Sequence, residues 1–345
     1  MRKLLIALAL ALGLGLSVSL ATPLDTDNDT WSNVSETAIG TSPASACGVN
    51  AWPADLNNDT ISDGTDLTTI SGSFGLSVPP APARHDVAPD PPDGYVDGTD
   101  LIKVSGFFGQ TCIWKPALYT SWQWQLTGTL DLTLDVDMYD VDMFSTSEAQ
   151  VAVIHDGGAK AVCYISAGSW ENWRPDAGSF PASVKGRNNG WPQEKWLDIR
   201  NLTVLGPIME ARLNLCVSKG FDGVEFDNVD GYSNNTGFPL TYAHQITYNT
   251  FLANEAHERG LSAGLKNDVE QVADLLPLFD WALNEECFQY EGDCEALLPF
   301  IQAGKAVFEV EYGTPISQFC PQANAMNFNA MRKNLDLDAF REPCR

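Results

Sequence analysis

Apolar positions along this 345-residue chain follow two regimes that meet near Cys112. Beyond it, apolar runs of strand length recur at 121–126, 136–141, 159–165, 223–227, 262–266, 281–284 and 306–311, with a weaker one at 325–328. Longer amphipathic stretches at 147–155, 205–219, 241–259, 269–276 and 295–304 lie between them and predict helices. The 241–259 stretch has Pro239 ahead of it and Gly260 behind it, suitable start and stop signals. Strands alternating with helices predict an α/β fold, a (β/α)8 barrel of the TIM type with parallel strands and right-handed crossovers. A doubly wound open sheet is the alternative. No GxGxxG follows an early strand, so nothing points to a dinucleotide site.

Before Cys112 the pattern gives way to Asp, Pro, Thr and Ser with few long apolar stretches. Asp25, Asp27, Asp29, Asn33 and Glu36 stand at positions 1, 3, 5, 9 and 12 of a twelve-residue loop, and Asp55, Asn57, Asp59, Asp63 and Asp66 repeat the spacing. A third copy is split. Asp93, Asp97 and Asp100 match its second half, and Asp86 and Asp90 are left to supply the first across a Pro-rich insertion. Calcium takes six to eight oxygen ligands, and this spacing wraps them around one ion. The tails recur as well, Ser71-Gly72-Ser73-Phe74-Gly75 as Ser105-Gly106-Phe107-Phe108-Gly109. The segment resembles dockerin-type and thrombospondin-type calcium repeats. That resemblance implies structural Ca2+ and leaves a protein or cell-surface partner open. Position 6 carries Thr30 and Thr60 in place of the usual glycine. An unstructured acidic linker is the plainer alternative, and the repeated spacing speaks against it.

The start of the chain changes the compartment. Met1-Arg2-Lys3, an apolar run over 4–20 and Ser19-Leu20-Ala21 read as a secretory signal peptide over 1–21. The run is short for a membrane anchor and no stop-transfer charges follow it. Eight cysteines without a CxxC pair favour disulfides over a zinc ribbon. The expected bridges are Cys47–Cys112, Cys163–Cys216, Cys287–Cys294 and Cys320–Cys344, although spacing alone does not prove connectivity. The expected division is therefore 1–21 signal peptide, 22–112 calcium repeats and 113–345 barrel, in a secreted protein that leaves the membrane once the signal is removed. Formal charge is −25, and residues 22–112 hold 13 acidic against 2 basic residues. Such acidity repels nucleic acid and attracts cationic ligands.

In barrels of this type the chemistry sits at the carboxyl ends of strands. Alternation over 223–227 sets Val224 and Phe226 on one face and Glu225 and Asp227 on the other. Over 281–285, Trp281, Leu283 and Glu285 share a face. Two carboxylates over one pocket are what glycosidic cleavage needs. The competing reading is that these acids cap helices or pair with nearby lysines and arginines. Lys266 ends the fifth strand, where a cation would hold a neighbouring carboxylate ionised. Trp122, Trp124, Tyr139 and Tyr164 lie near the ends of the first three strands, and their rings suit sugar faces as well as core packing. Glu311 ends the seventh strand, where it would meet a substrate ammonium. There is no GxSxG, and no strand end pairs His with Ser, so a serine hydrolase is disfavoured.

Several longer motifs go together: Trp122-Gln123-Trp124-Gln125-Leu126-Thr127-Gly128, Cys163-Tyr164-Ile165-Ser166-Ala167-Gly168-Ser169, Glu171-Asn172-Trp173-Arg174-Pro175-Asp176, Trp196-Leu197-Asp198-Ile199-Arg200, the run 220–228 and Asn284-Glu285-Glu286-Cys287-Phe288. Over roughly 115–312 the chain resembles the endo-α-1,4-polygalactosaminidases, glycoside hydrolase family 114. The resemblance implies a barrel acting on a galactosamine-containing, cationic polysaccharide without a catalytic cofactor. It places the family's two acids on Asp227 and Glu285 but does not settle their roles. Those are assigned from their surroundings. Lys266 between them favours an ionised Asp227 as nucleophile, and the apolar Trp281 and Leu283 favour Glu285 as general acid/base, in a retaining reaction. A catalytically silent carbohydrate-binding or adhesion protein on the same barrel is the alternative, and it has no need for the acid pair.

Overall fold

The computed structural model describes residues 24–26, 29–43, 46–47, 50–58 and 60–345. The expected signal peptide and the expected ligands Asp27 and Asp59 lie outside the described residues.

The main sheet contains β1 (Trp122–Gln125), β2 (Met138–Asp142), β3 (Lys160–Ser166), β4 (Gly223–Asp227), β5 (Ser262–Lys266), β6 (Trp281–Glu285), β7 (Val307–Glu311), β8 (Asn329–Arg332) and a short β9 (Glu342–Pro343). β1 to β8 are parallel and lie side by side in chain order, and β9 runs antiparallel to β8. Sequential order with crossovers of one hand gives every step the same turn, so the sheet curls. Its two edges meet through other groups. Trp122 Nε1 donates to Asn329 O at 2.9 Å, Lys333 Nζ to Gln123 Oε1 at 3.0 Å, and Leu126 N to Leu337 O at 2.9 Å.

Alternation sorts the strand residues onto two faces. Trp122, Trp124, Met138, Val162, Trp281, Leu283, Phe308, Val310 and Met331 fill the concave side. Val141, Cys163, Ile165, Val224, Phe226, Ala263 and Leu265 pack outward against Leu205, Met209, Leu213, Tyr248 and Leu252. The concave side is tight. A Cβ on Gly264 would lie 2.3 Å from the Trp281 ring, which sits beside it in the β5–β6 register.

Helices Glu148–Asp156, Leu202–Lys219 and Tyr242–His257 occupy the expected places, with Ser147 and Thr241 as N-caps. The 295–304 stretch divides into Asp293–Ala296 and Leu298–Gln302, because Pro299 favours a fresh start. Helix Ile316–Ala325 carries Pro321 and was not legible as a helix; the last strand falls at 329–332, after 325–328. All four expected disulfides are present. Among the described residues no helix is long and apolar enough to cross a membrane.

The N-terminal segment has a core of its own around Trp31, Trp52, Ile70, Val87, Val96 and Val104. Helices Gly64–Ser71 and Gly98–Ser105 start alike. Asp63 and Asp97 are their N-caps, and Asp66 and Asp100 close capping boxes. The first acid of each loop also behaves alike. Asp25 accepts from Thr30 N, Asp55 from Thr60 N and Asp86 from Gly94 N. Thr30, Thr60 and Gly94 all have left-handed φ, at 80°, 72° and 90°. The sixth-position turn thus forms despite the threonines, and Gly94 takes that position in the split copy. Asp90 is engaged elsewhere: it accepts from Ser32 N at 2.9 Å and from the hydroxyls of Ser32 and Ser35. Asn33 exchanges hydrogen bonds with Thr26, and Asp93 accepts from Tyr95 N. Among the described residues no three His, Cys, Asp or Glu side chains converge closely enough to hold a metal.

Candidate active site

The carboxyl ends of the strands surround a cavity of about 570 Å³, with Trp124 of β1 and Tyr312 after β7 also in its lining. Register brings its chemistry together. Ser166 on β3 faces Asp227 on β4, and Leu283 on β6 faces Lys266 on β5. Lys266 is the hub. Its ammonium, 2 % exposed, lies 3.1 Å from Glu225 Oε1, 3.0 Å from Asp227 Oδ1 and 3.1 Å from Glu285 Oε2. It also sits 4.6 Å above the Trp124 ring. Glu225 is fully buried beneath it and accepts from Trp124 Nε1 at 3.0 Å. The Asp227 and Glu285 side chains are 19 % and 27 % exposed and line the cavity, so they are the two hub acids open to it.

Each open acid is held by further donors. Tyr164 OH reaches Asp227 Oδ2 at 2.7 Å and Asn228 Nδ2 reaches it at 3.0 Å. Asn267 Nδ2 reaches Glu285 Oε2 at 3.3 Å, and the Tyr312 hydroxyl donates to Oε1. Burial pushes the Asp227 carboxyl up, but Lys266 with the Tyr164 and Asn228 bonds outweighs it and holds the group below the ordinary carboxylate value. Burial pushes Glu225 up to about 7; Lys266 opposes that and Asp227 adds to it. Burial alone would lower Lys266, yet Asp227, Glu285 and Glu225 keep it well above the usual lysine value. The result is a firmly charged ammonium beside an ionised Asp227.

Trp124, Tyr164, Lys266, Asp227 and Glu285 all line the cavity, and three other expected residues do not. Trp122 is buried at the inner floor, outside the cavity lining. Tyr139 faces the helices, where its hydroxyl donates to Leu134 O at 2.9 Å. Glu311 is fully buried and turned away from the cavity. It accepts from Phe288 N and Gln289 Nε2, each at 3.1 Å. The reason lies in β7, whose inward positions are taken by Phe308 and Val310, and Phe308 packs 4.8 Å from Trp122. The expectation of an apolar setting for Glu285 is also corrected. Trp281 and Leu283 lie below it, and its carboxylate meets Lys266, Tyr312 and Asn267.

One wall of the cavity was not anticipated. Between β3 and β4, Ser169–Glu171 pairs antiparallel with Glu194–Trp196, and this loop carries Trp173 and Trp191, 52 % and 49 % exposed, to the cavity rim. Arg174 pins it by pairing with Glu171 at 2.6 Å and with Asp142. The signal was a concentration of tryptophans within 170–196 that no core pattern required. Exposed indoles at a cavity rim suit sugar faces.

The model of glycoside-hydrolase family GH114 matches residues 107–345. The chain belongs to glycoside-hydrolase family GH114. A search of curated proteins finds no match. Among solved structures, Ega3 from Aspergillus fumigatus, in complex with galactosamine, is 39% identical, with 68% of this chain and 99% of that chain covered and a TM-score of 0.65. The glycoside hydrolase domain of PelA from Pseudomonas aeruginosa is 14% identical over 64% of this chain and 97% of that one, with a TM-score of 0.53, a likeness of fold. This GH114 member is a glycoside hydrolase, and the silent binding barrel is set aside.

The GH114 cavity depends on one close approach. Ala167 N and Gly168 N donate to Asp227 O at 2.9 and 3.0 Å, and a Cβ on Gly168 would lie 1.6 Å from Asn228 O. Gly168→Ala must push Asp227 and Asn228 out of place. For an acid that the chemistry uses, a displacement near 1 Å costs on the order of 100-fold in rate. The expected outcome is that loss in kcat/KM together with a lower melting temperature. Wild-type values for both would show that the approach is dispensable.

Proposed function

We propose that this protein is a secreted, endo-acting glycoside hydrolase that cleaves α-1,4 bonds of a galactosamine-containing polysaccharide with retention at the anomeric carbon. Asp227 attacks that carbon while Glu285 donates a proton to the departing glycosidic oxygen. Water, deprotonated by Glu285, then releases the sugar from Asp227. The observation that carries the reading is Lys266 bound to both acids at once. It holds their nearest oxygens no more than about 6 Å apart, so both acids can work on one glycosidic bond. Glu285 is the more open of the two to the cavity. The likeness to Ega3, seen in complex with galactosamine, supports the polymer. The test is to incubate the protein with acetylated and deacetylated polygalactosamine, size the products, and follow the first anomer released by NMR. Internal cleavage with an α product first is expected. A β product first would overturn retention, and no product from either polymer would overturn the substrate.

The finer organisation belongs to the same reading: signal peptide 1–21, calcium module 22–112 and a closed (β/α)8 barrel 113–345. The disulfides and the extracellular setting they favour support secretion. The sixth-position turn formed three times supports structural calcium held by the loop acids. A protein or cell-surface partner for this module is supported by exposed Phe74, Tyr95, Ile102 and Phe108. Chelation should expose 25–100 to protease, because ion binding to such loops is coupled to their folding. Equal resistance with and without chelator would count against the ion.

A further inference from the structure

Next to Glu225, outside the cavity lining, lies an acid that the reaction above does not use. Asp140 on β2 is fully buried. Its neighbours in register are Trp124 on β1 and Val162 on β3, and neither carries a charge. Among the described residues no N–H or O–H donor reaches either of its oxygens, although both are buried. The group it meets is the Glu225 carboxyl on β4, also fully buried and within hydrogen-bonding reach.

Two ionised carboxylates cannot hydrogen-bond to each other, because both only accept. The contact therefore needs a proton, and the surroundings decide where it sits. Glu225 already receives Lys266 Nζ on Oε1 at 3.1 Å and Trp124 Nε1 on Oε2 at 3.0 Å. Those donors suit an anion. Asp140 receives none, and a buried anion without a donor is far more costly than the neutral acid. Burial, then repulsion from Glu225, accordingly pushes the Asp140 carboxyl well above its ordinary value; Lys266 opposes this and Asp227 adds to it.

Lys266 has three N–H donors and three carboxylate partners, Glu225, Asp227 and Glu285. Two buried anions side by side would compete with the open acids for the ammonium. With a proton between Asp140 and Glu225, that pair carries at most one negative charge, and the ammonium remains shared with Asp227 and Glu285.

We propose that Asp140 is a positioning residue: it holds a proton, donates it in a hydrogen bond to Glu225, and through Glu225 keeps Lys266 on Asp227 and Glu285. The kinetic part of its test rests on the two-acid reaction and the polymer proposed above; the spectroscopic part does not.

Two variants and one spectrum test this. Asp140→Asn keeps the shape and offers an amide N–H to Glu225, whereas Asp140→Leu offers no donor. On galactosamine polymer, Asp140→Leu should lower kcat about tenfold with KM within about twofold, and Asp140→Asn should hold kcat within about threefold of the wild type. At pH 8 the infrared spectrum should contain the carbonyl stretch of a protonated carboxylic acid that moves when aspartate is labelled with carbon-13. Burial pushes Asp268 up to about 9, so it contributes to the same region, and the component read is the one that Asp140→Asn removes. Wild-type kcat in Asp140→Leu overturns the positioning role, as does a kcat loss of about tenfold in Asp140→Asn. A spectrum that Asp140→Asn leaves unchanged means that Asp140 is ionised and overturns the proton. If Asp140→Leu does not fold, the spectrum and the Asp140→Asn kinetics decide. If the protein cuts neither acetylated nor deacetylated polymer, the substrate reading falls, and the spectrum still decides whether Asp140 holds the proton.

Discussion

On the proposed mechanism, Asp227→Asn is expected to abolish hydrolysis, lowering kcat by on the order of 10⁴-fold or more, the scale seen when a covalent nucleophile is removed. Asparagine keeps the shape and can still accept from Tyr164, which now reaches Asp227 at 2.7 Å. It cannot attack the anomeric carbon, because the amide carries neither charge nor a free pair of comparable strength. Asp227 is suited to attack by the Lys266 ammonium at 3.0 Å, which keeps it ionised despite burial. The fold should survive, since Lys266 retains Glu225 and Glu285. Turnover of galactosamine polymer, substrate affinity and the circular dichroism spectrum check this together. A variant that kept wild-type turnover would remove Asp227 from the mechanism.

Lys266→Met should both inactivate and destabilise. It leaves a fully buried Glu225 and two neighbouring carboxylates without their shared cation. Removing one partner from a buried ionic cluster costs about 3–5 kcal/mol. The cost depends on pH. In the wild type, the raised Lys266 contributes stability that is full below its unfolded value of 10.5 and is lost as pH climbs past the folded value. The depressed Asp227 contributes stability above 3.8 that is lost as pH falls through its folded value. Glu225, raised from 4.5 to about 7, acts the other way and weakens the fold across that interval. Without Lys266 the carboxyls repel one another until they take up protons. The variant should therefore approach wild-type stability as pH falls from 8 to 5. Urea midpoints at the two pH values measure it. An equal deficit at both would mean that the lost packing of the lysine stem matters, and not the charge.

Much of this was legible before folding. Period-2 alternation placed Glu225 with Asp227 and Trp281 with Glu285, and both pairs do share the concave face. The four cysteine pairs were read correctly from their places along the chain. Alternation determines which residues sit together, since successive side chains must point to opposite faces of a strand. It does not decide which face is inward when both sides of the sheet are covered. On β7 the acidic face was expected inside, yet Phe308 and Val310 took the interior because the aromatic core around Trp122 and Trp281 had room for them. Glu309 and Glu311 were carried outward together, both fully buried. Tyr139 on β2 was displaced by the same choice, with Met138 and Asp140 turned inward. What only the tertiary structure decided is how distant segments meet. Lys266 reaches three carboxylates from two other strands, the 167–200 loop brings Trp173 and Trp191 to the rim, and Asp230, Asp268 and Asp293 close on one compartment. Each meeting depends on strand register and the curl of the sheet, which are set by packing over the whole sheet and its helices and leave no local pattern in the chain.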